Sequence, residues 1–107
     1  IAKPDPSIRA VVPFGVEYGS KIEQVKEIVL KELKKIEGLD LSEDRKPMVR
    51  FIEMGNSALV FKAYFWMKNY TEKFRAIDQA NTMIYNTLNK NNIGIPFPQM
   101  DIWMRKK

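Results

Sequence analysis

Residues 48–68 read MVRFIEMGNSALVFKAYFWMK. From Ser57 to Lys68 the pattern alternates without a break. Leu59, Phe61, Ala63, Phe65 and Met67 fall on one face, and Val60, Lys62, Tyr64 and Trp66 on the other. A period of two rich in aromatic and β-branched residues specifies a strand with one buried face. Met48–Met54 reads as a second strand, and Gly55-Asn56 between the two supplies a turn with residues that tolerate positive φ. The centre of the chain is therefore a β-hairpin.

Working outward, Thr71 is placed to cap a helix from about Glu72 to Asn91, with Phe74, Ile77, Ala80, Ile84 and Leu88 as its apolar stripe. Asn91-Asn92-Ile93-Gly94 ends that helix, Ile95–Pro98 is extended by its prolines, and residues 99–104 form a short final strand. In the other direction, residues 39–47 are a charged loop. A helix from about Lys21 to Ile36 shows Ile22, Val25, Val29, Leu33 and Ile36 at spacings of three and four. Ser20 and Glu23 form an S-x-x-E capping box ahead of it, and Gly38 suits its C-terminal cap region. Ile8–Glu17 is a first strand, in which Pro13 implies an edge position or an irregularity. Residues 1–7, with Pro4 and Pro6, read as an incoming linker.

The order is βαββαβ. It predicts an α+β ferredoxin-like sandwich, one antiparallel sheet with two helices on one face, over residues 8–107. A chain of 107 residues leaves room for one such domain.

Composition removes whole classes of chemistry. There is no Cys and no His. Disulfide scaffolds, thiolate metal sites, thiol nucleophiles and every His-based catalytic arrangement are excluded within this chain. The acidic residues Asp40, Glu43 and Asp44 lack the spacing of a calcium loop, and no glycine-rich phosphate loop is present. Glu23, Glu27 and Glu37 read as salt-bridged surface decoration. No catalytic, cofactor or metal site is expected, and the chain is read as a non-enzyme. The net charge is +5, from 18 basic and 13 acidic residues, but Arg105, Lys106 and Lys107 at the terminus supply three of those five charges. That is a basic end rather than a nucleic-acid footprint. The alternative is a stand-alone ferredoxin-like RNA-binding or regulatory module, in which Tyr64 and Trp66 stack bases on the open sheet face. It lacks the basic-Gly-aromatic pattern such sheets carry on their third strand. No apolar stretch approaches the ~20 residues that cross a bilayer.

Three segments resemble the small-conductance mechanosensitive channel family. Residues 16–28, VEYGSKIEQVKEI, are similar to that family's strand-to-helix passage GVxYxSDIxxVKxIL, with Lys21 where the family has Asp. Residues 49–67 resemble its hairpin, which turns at a glycine and closes on Trp. Residues 92–102, NIGIPFPQMDI, resemble its ending GIxIPFPQxDV, with Asn92 in place of the first glycine.

The resemblance implies the C-terminal cytoplasmic domain of a cell-membrane channel, with residues 1–7 linking it to an upstream β domain. Transmembrane helices would precede that domain, gating would answer membrane tension, and seven copies would build a hollow vestibule with side portals for permeating ions. The partners implied are further copies of the chain and the membrane, with no nucleic acid. The motif and assembly candidates carried over are Tyr18, Gly19, Ser20, Gly55, Trp66, Gly94, Pro96, Phe97, Pro98, Gln99 and Asp101. The final strand would enter a small barrel at the base of the assembly.

Overall fold

The computed structural model describes residues 8–96. Three strands, β1 (Arg9–Val16), β2 (Met48–Met54) and β3 (Leu59–Trp66), and two helices, α1 (Ile22–Leu33) and α2 (Lys73–Lys90), follow one another as β1-α1-β2-β3-α2. The strands make one antiparallel sheet in the order β1-β3-β2. The expected ferredoxin-like α+β arrangement is the one observed. Its last strand, residues 99–104, and the linker, residues 1–7, lie outside the described residues.

β3 is central because both of its faces and both of its edges are used. Leu59, Phe61, Ala63 and Phe65 are buried and alternate with half-buried Val60, Lys62, Tyr64 and Trp66. Register carries this pattern to the neighbours. Ala10, Val12, Phe14 and Val16 of β1 stand opposite Phe65, Ala63, Phe61 and Leu59. Val49 and Phe51 of β2 stand opposite Ala63 and Phe61. One row crosses all three strands as aromatics: Phe14 stacks on Phe61 at 5.3 Å between ring centroids, and Phe51 lies tilted against Phe61 at 5.2 Å. Such cross-strand pairs stabilise a sheet beyond the apolar area they bury.

The helices cover this face. α1 buries Val25, Val29 and Leu33 and packs on β2 and β3. α2 buries Ala76, Ala80, Ile84, Thr87 and Leu88 and packs on β1, and the helices pack on each other. Pro13 lies exposed on β1, which is an edge strand among the described residues. A proline there removes no donor that a described neighbour needs.

Several local expectations are corrected. The Ser20–Glu23 capping box does not form, because α1 starts one residue later, with an extended Lys21 as N-cap and no side-chain cap bond. Glu23 still places a negative charge in the first turn, where the helix dipole favours it. Regular helix ends at Leu33, and the buried Ile36 follows in a tighter turn closed by its own N–H to the Leu33 carbonyl. Thr71 does not cap α2. Instead the Asn69 side chain accepts from the Thr71 N–H at 3.0 Å and opens a 3₁₀ turn, Tyr70–Glu72, that leads into the helix. Phe74 is 79% exposed rather than part of the apolar stripe. At 3.6 residues per turn it lies about a third of a turn from the Ala80–Ile84 line, and Ala76 takes the inward position. The ion pair on α1's outer surface runs from Glu32 to Lys35, three residues apart.

The hairpin turn also differs. Neither Gly55 nor Asn56 adopts positive φ. The loop closes by the Gly55 N–H donating to the Ala58 carbonyl at 2.8 Å, and a Cβ at position 55 would meet that carbonyl at 3.0 Å. Glycine is needed there for close approach, not for handedness. On the strand side, the register slips between Phe51 and Glu53, a bulge at Ile52.

Positive φ does occur at Asn92, where α2 ends. The Ile93 N–H donates to the Leu88 carbonyl at 2.9 Å and the Asn92 N–H to the Asn89 carbonyl at 3.1 Å. Those two bonds are the Schellman pattern, and the accompanying apolar pair is Leu88 with Ile93, both buried. The acidic loop is likewise a folded turn. One Asp40 carboxylate oxygen accepts from the Ser42 N–H at 3.0 Å and from the Ser42 hydroxyl, and the other accepts from Arg45 Nη1 at 3.1 Å. The Ser42 hydroxyl and then its N–H, with Arg45 adding, hold the Asp40 carboxyl below its ordinary pKa.

Urea unfolding of Phe61→Ala is expected to show a loss of about 3–5 kcal/mol, while Phe74→Ala stays within about 0.5 kcal/mol of the parent. Asn92→Gly is expected to raise the midpoint modestly and Asn92→Val to lower stability by about 1–2 kcal/mol, since a β-branched residue resists the left-handed region. The stability advantage of the parent over Asp40→Asn is expected to be full above the ordinary carboxylate pKa. It closes as pH falls through the depressed folded value, because protonation then removes the same charge that the mutation removes. Urea midpoints of the pair across the acid range check this.

Candidate functional site

Among the described residues, no group of three or more Asp or Glu side chains is placed to hold a metal ion, and no buried side-chain nitrogen or oxygen lacks a hydrogen-bond partner. The open hollows are surface clefts. One of about 470 Å³ lies between α1 and the start of β2, lined by Glu23, Glu27, Leu30, Met48 and Val49 among others. A second of about 400 Å³, mostly polar, lies at one end of the sheet.

That second cleft gathers four of the motif residues, Tyr18, Gly19, Ser20 and Gly94. β1 delivers Glu17, Tyr18, Gly19, Ser20 and Lys21 to one wall, and the end of α2 delivers Asn91, Asn92, Ile93 and Gly94 to the other. Gly19 has φ +98°, which lets the chain reverse before α1. The Ser20 N–H closes that turn on the Glu17 carbonyl at 3.3 Å. The walls are joined by the backbone, with the Glu17 N–H donating to the Gly94 carbonyl at 2.9 Å. The Glu17 carboxylate lies directly over Gly94, in the space a Cβ would take. Tyr18 then ties in the hairpin, its hydroxyl donating to the Gly55 carbonyl.

Five singled-out residues, Tyr18, Gly19, Ser20, Gly55 and Gly94, are thus brought to one end of the sheet. Pro96, half-buried, leaves from there, and Phe97, Pro98, Gln99 and Asp101 lie outside the described residues. Trp66 is not part of this group. It pairs with Arg9 at the opposite end of β3. There the Met67 N–H donates to the Ile8 carbonyl at 2.8 Å, so the chain arrives at one end of β1 and leaves, through Gly94, at the other. The eight residues of β1 put roughly 25 Å between the two.

The outer sheet face carries Tyr64 and Trp66, both half-buried, with Lys62 and Arg50 opposite each other. The Arg9 guanidinium sits over the Tyr64 ring at 5.9 Å from its centroid, so one ring face is already covered by a cation.

Sequence reasoning missed Glu17, whose N–H and carboxylate both meet Gly94. Its only signal is its place just before the Tyr18-Gly19 turn. Arg75 was missed too. It bonds the Glu37 carbonyl at 3.1 Å and the Glu72 carboxylate at 2.7 Å, and no local pattern announces a contact 38 residues away.

Comparison with known proteins accounts for this pattern. The family model described as "Mechanosensitive ion channel MscS, C-terminal" matches residues 10–95. The chain is 27% identical to mechanosensitive channel MscK of Escherichia coli over 103 residues, which cover 96% of this chain and 9% of that protein. It is 32% identical to the small-conductance mechanosensitive channel of Helicobacter pylori over 96 residues, 87% of this chain and 33% of that one. An uncharacterized MscS family protein of Buchnera aphidicola is 31% identical over 110 residues, again 96% of this chain and 33% of the relative. The crystal structure of Helicobacter pylori MscS in its closed state superposes with a TM-score of 0.75 at 28% identity, over 92% of this chain and 38% of that one. The chain spans a third or less of the length of these three relatives. With the family match running from β1 to just past the Gly94 cleft, the chain belongs to the MscS family of mechanosensitive ion channels and corresponds to its C-terminal domain.

Proposed function

We propose that this chain builds the wall of a cytoplasmic vestibule beneath a channel pore that opens under membrane tension and releases ions and small solutes. Its role is structural: to hold that wall and to assemble it from seven copies. The family is one of channels rather than enzymes, consistent with a site made of turns and backbone bonds.

The observation that supports the reading best is that Ile8 and Gly94, where the described chain enters and leaves, are bonded at opposite ends of β1. A wall element must pass the polypeptide from one rim to the other, and a domain whose ends met on one side would hang off the assembly as an appendage. The Gly94 clasp supports it further, since it sets the point from which the proline segment leaves. No described helix is long and apolar enough to cross a membrane; the reading assigns the membrane spans to other parts of a longer protein, of whose relatives this chain covers a third or less.

Light scattering on the detergent-solubilised parent protein tests the assembly. Seven copies per particle is the expected result, together with survival of osmotic downshock when the protein is expressed in cells lacking their own channels. A monomeric particle, or a parent chain without apolar spans, overturns the reading.

A further inference from the structure

We infer that three prolines, Pro13, Pro96 and Pro98, close the free edge of β1 to the chain's own last segment, so that residues 99–104 find no strand partner within their own domain. The inference goes beyond the vestibule reading. It concerns which strands of one copy can pair, and it holds for any number of copies.

Pairing with β3 sets the direction of every backbone group on β1. The Met67 N–H donates to the Ile8 carbonyl at 2.8 Å, and Ile8 lies one residue ahead of the Arg9–Trp66 pair. Along an antiparallel strand, successive residues bond to opposite sides. Ala10, Val12, Phe14 and Val16 therefore share the β3 side with Ile8, while Arg9, Val11, Pro13 and Gly15 turn their backbone groups outward. Among the described residues that outer edge faces no strand. It is engaged just past its end, where the Glu17 N–H reaches the Gly94 carbonyl at 2.9 Å.

This bond fixes the register of any strand that would continue from Gly94 antiparallel to β1. Pro96 would stand opposite Gly15 and Pro98 opposite Pro13, followed by Met100 opposite Val11 and Ile102 opposite Arg9. In each of these pairs the two residues would have to exchange both N–H···O bonds. Proline has no N–H to give. At the Gly15–Pro96 and Pro13–Pro98 pairs, Pro96, Pro13 and Pro98 all lack their donor, and Gly15 alone keeps one.

The gap falls directly after the Gly94 anchor, where such pairing would have to start. A slip of one residue would break the Glu17–Gly94 bond and turn Met100 and Ile102 to the other face of the sheet. Pro13 itself is exposed, and its missing N–H faces away from β3, so the β1–β3 ladder neither requires nor suffers from it. A proline on an open edge is a known guard against strand addition. Here two further prolines of the same chain meet that guard in the one register the Gly94 bond allows.

The test places Val11→Cys and Met100→Cys together in the complete parent protein, with each single variant as background. The described chain contributes no other thiol. Opposed positions of a bonded pair lie about 5.5 Å apart at Cα. Dibromobimane, which becomes fluorescent when it bridges two neighbouring thiols, reports their approach, and the monomer band of a denaturing gel restricts the signal to one copy. With the three prolines in place, that band is expected to stay at background. Pro13→Thr, Pro96→Ala and Pro98→Thr combined are expected to raise it at least fivefold, and Pro13→Thr alone, a surface change, about twofold. Strong monomer-band fluorescence with the prolines present overturns the inference, and so does the absence of a rise in both substituted proteins. Light scattering on the same samples keeps the two readings apart. Seven copies without the rise defeat the proline guard alone, whereas the rise without seven copies supports the guard and defeats the vestibule.

Discussion

The row Phe14–Phe61–Phe51 is the constraint on which the rest depends. Phe61 is fully buried on the central strand and is the only ring of the three that touches both others. Because side chains alternate along a strand, a slip of one residue in either ladder would turn Phe14 or Phe51 toward water and bring Pro13 or Arg50 toward the core. The aromatic row therefore fixes register on both sides of β3 at once. Once register is fixed, the dry face is defined, and α1 and α2 have a single surface on which to bury their stripes.

The two ends of the sheet solve different problems. At the Gly94 end, the chain must reverse twice and leave, and the solution is backbone geometry: a positive φ at Gly19, a left-handed Asn92, and a glycine at 94 that makes room for the Glu17 side chain. At the Trp66 end, three segments must be held against one another, and the solution is hydrogen bonding across long sequence separations. Motif residues accumulate at the first end because few residue types satisfy a tight turn. The second end leans on such geometry at one position, Gly38, whose φ is +88°, and otherwise on backbone-to-backbone bonds that many side chains allow.

This difference also explains what was legible in the sequence. The alternation through Phe61 and Phe65, and the stripe Val25–Val29–Leu33, are periodic, so strands, helices and the buried faces followed directly. Asn92 was readable as a residue that tolerates positive φ. The Ser20 cap, the Thr71 cap and the inward Phe74 were not, because each depends on where a helix starts to within one residue, and that is set by packing. A shift of one residue at Lys21 is enough to take Ser20 out of capping position. Phe74 looked like core because phenylalanine is usually core, yet the closer approach of α2 is made by Ala76 and Ala80. The clasp of Glu17 on Gly94 joins residues 77 positions apart, which local patterning does not reach.

The opposite placement of the chain's arrival and departure has a mechanical consequence. The arriving backbone is bonded at Ile8, just before β1, and the departing backbone is bonded to Glu17, just after it. A pull between Ile8 and Gly94 is directed along β1, with its partner β3 alongside. Antiparallel ladder bonds lie perpendicular to the strands, so such a load shears the whole β1–β3 ladder together instead of peeling it one bond at a time. Peeling breaks bonds in sequence at low force, whereas shear requires them to fail collectively. A load applied at these two points thus meets the β1–β3 ladder in its collectively failing geometry.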